Sequence, residues 1–307
     1  MRQRSRSKRE PVRFAVIGQG HFAQTSILPA FANARGCELV ALFSDDVSKL
    51  RALRKQYDVE YALPYDQLSA FLETGSIDAV YIAVPNDLHA AFAEAAAGAG
   101  VHVLSEKPIA ASSAQAERMI AACERGGVKL MIAYRLHFEE ANLRAMGIIR
   151  AGKIGEPRLL STVFSQQVTP GNTRTQAGHA GGPLRDVGIY CINAARYLFH
   201  DEPTEVVALT ATKRADPRFR EIDEQVSALL RFPGERLAQL TCSFGAYGRS
   251  EYTVVGTKGT LRLCPAFNMR DLTLELEVGG KTTRKTFKRS DQVAPELEEL
   301  ADCIRRG

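Results

Sequence analysis

Between residues 12 and 134, short apolar runs of β formers alternate with helical stretches, and this alternation constrains the fold more than any other feature. The runs are 12–18, 38–43, 79–84, 101–104 and 128–133; the helices read between them are 25–34, 47–57, 88–99 and 113–125. Continuous apolar strands separated by helices predict a parallel sheet covered on both faces, a doubly wound α/β domain. Near Asn142 the texture changes. Segments 158–166, 205–212, 225–232, 237–244, 251–256, 260–263, 272–278 and 282–288 read as strands, several alternating polar with apolar residues. That period suits an antiparallel sheet with one buried face. Only 188–199 and 295–306 read as helices here, so the expectation is an α/β domain (11–134) followed by an α+β domain (135–307) with a large, open, mostly antiparallel sheet.

Composition fits this reading. Of 307 residues, 45% are apolar and 24% charged, which excludes a collagen-like, largely disordered or disulfide-stapled chain. No apolar window reaches the ~18 residues of a membrane span, so no membrane role is expected. Most of the net charge of +5 sits in Met1–Glu10, where Arg2, Arg4, Arg6, Lys8 and Arg9 face one glutamate. We read residues 1–10 as a disordered, solvated basic arm. It has neither an apolar stretch behind it nor a twin-arginine pair, so it is a poor export signal. The near-neutral body argues against a nucleic-acid partner. Six cysteines lie scattered without C-x-x-C or ligand spacing, which suits free thiols in a reducing compartment, hence a cytoplasmic address and no metal site.

The strongest motif is Gly18-Gln19-Gly20-His21-Phe22-Ala23, directly after the first strand and opening the first helix. Gly18 permits the tight turn, Gly20 lets backbone approach a pyrophosphate, and Ala23 is small enough for close helix–strand packing. The helix N-terminus then offers N–H groups and positive dipole to phosphates. This predicts dinucleotide binding, with His21 and Phe22 in the same turn. After the second strand, Ser44 stands where an NAD binder usually places a carboxylate on the ribose. Lys49 and Arg51 follow, so NADP is favoured; Asp45 and Asp46 leave NAD open.

Four segments then carry a family resemblance: 18–23; Ala83-Val84-Pro85-Asn86-Asp87-Leu88-His89; Ser105-Glu106-Lys107-Pro108; and Gly181-Gly182-Pro183-Leu184-Arg185-Asp186-Val187-Gly188-Ile189-Tyr190. Segments 133–139 and 193–199 add support. Together the sequence resembles the glucose–fructose oxidoreductase/inositol dehydrogenase (Gfo/Idh/MocA) family, in particular its glucose–fructose-oxidoreductase-like branch, from about Arg13 to Ile304. The resemblance implies a Rossmann domain, and a nicotinamide-dependent oxidoreductase acting on a sugar, polyol or related cyclic alcohol or ketone. By position Lys107 matches the active-site lysine, while Asp186 and Tyr190 match the carboxylate and the proton-transferring residue. Pro85, Asn86 and His89 match the loop lining the nicotinamide ribose, and Glu106 joins the cofactor set beside Lys107. The Lys107–Pro108 bond is expected cis. A homodimer or homotetramer through the open sheet face is likewise implied, as is a chain that usually runs on past residue 307. Arg185 before Asp186 and Ala23 in the third glycine slot depart from the pattern.

The chemistry asks for such residues. Oxidising a secondary alcohol requires an acid/base within hydrogen-bond reach of the hydroxyl. A phenol titrating near pH ~10 serves only if a neighbouring cation favours the phenolate, and Lys107 is the expected source. Asp186 and Tyr190, four apart at a helix start, are expected to share a face. Asn193 follows one turn on, and Arg135 and Arg174 join it as candidate substrate ligands. Plain structural readings stand beside these: a loop lysine at 107, a helix cap at 186, a core aromatic at 190, a packing histidine at 89. Two other functional classes also remain: a non-catalytic NAD(P)-binding sensor or regulator, and a nicotinamide-dependent glycoside hydrolase.

Overall fold

The computed structural model describes residues 10–307, which form two compact units, 10–135 with Asp291–Gly307, and Leu136–Ser290. Apart from Glu10, the basic arm lies outside the described residues.

The first unit holds the strands β1 (Val12–Ile17), β2 (Cys37–Phe43), β3 (Tyr61–Leu63), β4 (Ala79–Ile82), β5 (His102–Glu106) and β6 (Leu130–Ala133), in the order β3-β2-β1-β4-β5-β6. Every neighbouring pair is parallel. Ala79–Ile82 is buried throughout, as a strand covered on both faces must be. The order reverses between β1 and β4, and open α/β sheets take their ligands beyond the strand ends at such a switch. The connecting helices are α1 (Leu28–Ala30), α2 (Val47–Tyr57), α3 (Leu68–Leu72), α4 (His89–Gly98) and α5 (Ser113–Gly126). Their ends follow local chemistry. Asp46 caps α2 by accepting from the Lys49 amide at 2.9 Å, and Gly127, with φ of 62°, closes α5.

Two features differ from the sequence reading. The first helix is no regular 25–34 helix: a π-helical turn, Ala23–Ile27, runs into the single turn of α1. The three-residue edge strand β3 and the helix α3 are too short to announce themselves by periodicity.

The second unit is an eight-stranded sheet over two helices. After α6 (Glu140–Arg150) come β7 (Pro157–Ser165), α7 (Ile189–Phe199), β8 (Glu205–Ala211), β9 (Gln225–Phe232), β10 (Arg236–Ser243), β11 (Arg249–Gly256), β12 (Gly259–Cys264), β13 (Leu272–Val278) and β14 (Lys281–Phe287). The order is β14-β13-β12-β11-β7-β10-β9-β8, antiparallel except where β7 meets β10. In β9, Val226, Ala228, Leu230 and Phe232 face the core while Ser227, Leu229 and Arg231 face out, the expected alternation. The core gathers Ala141, Ala145 and Ile149 of α6, Ala194 and Leu198 of α7, and the inward residues of the sheet. Helix α6, absent from the sequence reading, is set by Glu139, whose carboxylate accepts from the Ala141 and Asn142 amides at 2.9 and 2.8 Å.

The closing helix, α8 (Ala294–Arg306), corrects the expected boundary. Sequence continuity assigned 135–307 to the second domain, but 291–307 packs with the first unit. The reason is a ladder of polar ties: Arg305 donates to the Gly36 carbonyl at 2.6 Å, Glu298 accepts from the Arg35 amide at 2.8 Å, and Asp291 accepts from Asn33 at 2.8 Å.

Candidate active site

In the first unit the chain leaves β1 through Gly18, whose φ is +99°. A Cβ there would sit 2.5 Å from the Ala83 carbonyl oxygen, so the turn crosses the β1–β4 switch only with glycine. The Gly18 amide donates to the Phe43 carbonyl at 3.0 Å, and Gln19 Nε2 donates to the Val16 carbonyl at 2.9 Å, which fixes the turn from the protein side. Gly20 is different. A Cβ on it would meet nothing within 4 Å, so no contact inside the protein demands glycine at that position. The space left open is the space a pyrophosphate needs. Ala23 is buried while His21 is exposed, and the π turn that follows is a form often found at functional sites.

The loop after β2 is more self-contained than its sequence suggested. Ser44 is buried; its hydroxyl donates to Asp45 at 3.4 Å and accepts from the Asp46 amide at 3.2 Å. Lys49 pairs with the capping Asp46 at 3.3 Å, and Asp45 is exposed.

After β4, Pro85 is exposed and Asn86 opens a short 3-10 turn. His89 is fully buried, with Nδ1 2.9 Å from the Pro108 carbonyl and Nε2 3.0 Å from the Val84 carbonyl. Two carbonyls favour an imidazolium, but burial opposes the charge and holds the pKa below the usual histidine value. The ring therefore ties the Pro85 loop to the Lys107–Pro108 segment from within and has no nitrogen left for a ribose. Lys107–Pro108 is a cis peptide. The Glu106 carboxylate accepts from Tyr81 Oη at 2.9 Å and from the Lys107 amide at 3.3 Å; burial raises its pKa, against the pull of the Lys107 and Arg135 charges.

Arg135, expected to bind substrate, is instead buried in the first unit. It donates to Gln292 Oε1 and serves as counter-charge to Glu106 and Glu296. A buried guanidinium needs such partners, which is why the side chain turns inward.

In the second unit, Asp186 sits on another π-helical turn, Leu184–Gly188, which leads into α7. Glycines fit it to its neighbours. A Cβ at Gly181 would collide with the Arg174 carbonyl oxygen, and one at Gly188 would lie 2.9 Å from Cys242 Sγ on β10. The close approach brings the Arg174 guanidinium to Asp186, Nε to Oδ2, at 3.0 Å, and Gln166 Nε2 donates to the same oxygen at 3.3 Å. Thus Arg174, expected to meet substrate, holds the carboxylate. Gln166 was missed because a lone glutamine after a strand carries no local signal.

Tyr190 lies half-buried on α7, its ring centroid 5.6 Å from Phe164 and 5.9 Å from Phe267. Asn193 turns to a different set: its Oδ1 lies 3.1 Å from His137 Nε2, beside Arg196 and Tyr197. Among the described residues no group of three or more His, Cys, Asp or Glu could hold a metal ion, and all six cysteines are free.

A phosphate turn at the switch of a doubly wound sheet defines a dinucleotide-binding fold. Comparison with known proteins gives its membership. Residues 12–134 match the family model described as "Oxidoreductase family, NAD-binding Rossmann fold", and 142–262 match the GFO/IDH/MocA C-terminal domain. The chain belongs to the GFO/IDH/MocA oxidoreductase family. It is 35% identical over 303 residues to D-xylose 1-dehydrogenase [NADP(+)] of Haloarcula marismortui, covering 96% of this chain and 84% of that protein. Among solved structures, the aldose-aldose oxidoreductase of Caulobacter crescentus complexed with glycerol aligns with a TM-score of 0.93 at 34% identity, covering 97% of this chain and 90% of that one. KijD10, a 3-ketoreductase from Actinomadura kijaniata in complex with NADP and TDP-benzene, aligns with a TM-score of 0.87 at 29% identity, over 96% of this chain and 90% of its own. No helix among the described residues is long and apolar enough to cross a membrane.

Proposed function

We propose that this protein is an NADP-dependent sugar oxidoreductase, with aldoses as its substrate class and Tyr190 as its acid/base. The observation that carries the reading is the fixed Asp186, held by Arg174 and Gln166 one turn before Tyr190, in a chain that also builds the phosphate turn. The xylose-dehydrogenase and aldose-oxidoreductase relatives supply the substrate class.

The residues fit a nicotinamide dinucleotide: Gly18 makes the turn at the β1–β4 switch and Gly20 presents backbone with no side chain in the way. Backbone of Gly18, Gly20, His21, Phe22 and Ala23 would hold the pyrophosphate, Pro85, Asn86 and Glu106 the nicotinamide end, and Ser44 with Lys49 the adenosine ribose. When bound, the nicotinamide supplies the hydride acceptor or donor. The side chains do the rest. Tyr190 exchanges a proton with the substrate oxygen and Asp186 accepts from a substrate hydroxyl, while Lys107 is the lysine that the family resemblance adds to the set. Arg174 and Gln166 keep that carboxylate still, so orientation is settled before the substrate arrives.

The test is nicotinamide absorbance during incubation of the protein with D-xylose and other aldoses, with NADP and with NAD. Reduction of NADP, and tighter binding of NADPH than NADH, is expected. No coenzyme turnover with any aldose would remove the enzymatic reading. We further propose a homodimer or homotetramer through the outer face of the eight-stranded sheet, where Val207, Leu209, Leu229 and Leu159 are 71, 77, 45 and 50% exposed. Light scattering should report a multiple of 33.6 kDa, and Leu209→Asp should shift it toward the monomer.

A further inference from the structure

The hydroxyl of an acid/base tyrosine must point in one direction, and Tyr190 sits half-buried on a helix where its ring alone has several rotamers. We propose that Phe267 is the positioning residue for Tyr190, its fixed ring confining the phenol to one orientation. The inference rests on Tyr190 being the acid/base.

Phe267 is anchored by its backbone as well as by its buried ring. Its amide donates to Ser250 Oγ at 2.8 Å, and the Ala266 amide donates to the Ser250 carbonyl at 2.9 Å. The Ala266 carbonyl accepts from Asn142 Nδ2 at 3.1 Å. Asn142 cannot turn, because its Oδ1 accepts from Tyr197 Oη at 2.8 Å and Tyr252 Oη at 3.1 Å while Nδ2 also donates to Glu139 at 2.8 Å. All of Asn142, Glu139 and Tyr252 are buried, so this network is closed and rigid. It reaches the Phe267 loop from two elements, α6 and β11.

On that base the Phe267 ring, 1% exposed, stacks on Phe164 at 5.3 Å and 30°, and on Tyr190 at 5.9 Å and 28°. Phe164 meets Tyr190 at 5.6 Å and 57°, so the phenol ring is walled by two aromatics from β7 and from the loop after β12. Both phenylalanines also pack in the core of the second unit. What the packing adds is direction: two ring faces fix both torsions of a side chain that has only two.

A four-member cycle measured with D-xylose and NADP tests this: wild type, Phe267→Leu, Tyr190→Phe and the double variant. Phe267→Leu is expected to lower kcat on the order of ten- to a hundredfold with the KM for NADP unchanged, the scale of a misplaced catalytic group. Added to Tyr190→Phe, it is expected to cost nothing further, since the hydroxyl it orients is gone. In coenzyme-free protein carrying ring-carbon-labelled tyrosine, the NMR resonance that vanishes in Tyr190→Phe should shift and broaden in Phe267→Leu. Losses that multiply in the double variant, or an unmoved resonance, assign Phe267 to packing alone and overturn the inference. Wild-type turnover in Tyr190→Phe removes the acid/base reading and the inference with it. Should Phe267→Leu fail to fold, Phe164→Leu, at the half-buried second wall, runs the same cycle with the same outcomes.

Discussion

Two π-helical turns stand at the two candidate sites of this chain, and they are built on opposite principles. At Ala23–Ile27 the site is made of backbone: the glycine turn just before it, with a φ of +99° at Gly18, and Gly20, where a Cβ would meet nothing within 4 Å. At Leu184–Gly188 it is made of side chains collected from afar, with Gln166 from the end of β7, Arg174 from a loop and Phe267 from beyond β12 around Asp186 and Tyr190. The first kind is written in consecutive residues and tolerates no change of main-chain geometry. The second is written across the whole unit, and its failures should fall on turnover rather than on coenzyme binding. That contrast predicts different failures.

The largest effect belongs to the side-chain site. Tyr190→Phe should lower kcat roughly 10²–10⁴-fold, the worth of a positioned acid/base, with NADPH affinity unchanged by titration calorimetry. An equal loss of coenzyme binding would break the comparison. In the backbone site, Gly18→Ala should destabilise the first unit by at least about 3 kcal/mol, because φ and the Ala83 carbonyl both oppose a Cβ. Gly20→Ala should stay within about 0.5 kcal/mol of wild-type stability yet weaken NADPH binding by about tenfold or more. Denaturant melts and calorimetry on both variants separate fold from binding; a Gly20→Ala protein that binds normally would deny the turn its role. Smaller again is Arg174→Ala. The guanidinium is 52% exposed, so its pair with Asp186 is worth at most about 1 kcal/mol and kcat should fall only about fivefold.

The same contrast explains what could be read in advance. The parallel sheet, the alternation in β9 and the glycine turn were legible because each is a local pattern with a local cause. Lys107, Asp186 and Tyr190 are candidates supplied by family resemblance, and their catalytic roles are what the variants test. Arg135, Arg174 and Asn193 were expected to meet substrate and His89 the ribose, but the fold gives each a partner within the protein: Gln292, Asp186, His137, and the carbonyls of Val84 and Pro108. A polar residue near a site announces that it is needed, and only the fold says by whom. Helix α8 makes the point at larger scale. Its amphipathic pattern was plain, yet its allegiance to the first unit depends on Arg305, Glu298 and Asp291 meeting main-chain and side-chain groups some 260 positions away.

That helix also carries the smallest effect, which sharpens the comparison because it touches the backbone-made unit through a side chain. Glu296 is 1% exposed and one of its carboxylate oxygens has no partner. Burial first, and then the charges of Glu106 and Asp291, raise its pKa well above the ordinary 4.5, with Arg135 pulling the other way. The folded state therefore keeps a proton that the unfolded chain releases. Its contribution is complete below the unfolded pKa and is lost as pH rises toward the folded one. Glutamine mimics the protonated acid at every pH, so Glu296→Gln should match wild type near pH 5 (roughly) and exceed it near pH 8 by a few degrees in Tm. Thermal melts at the two pH values decide it. A difference that is constant, or that shrinks as pH rises, would mean that Glu296 is ionised in the fold and that Arg135 neutralises both carboxylates.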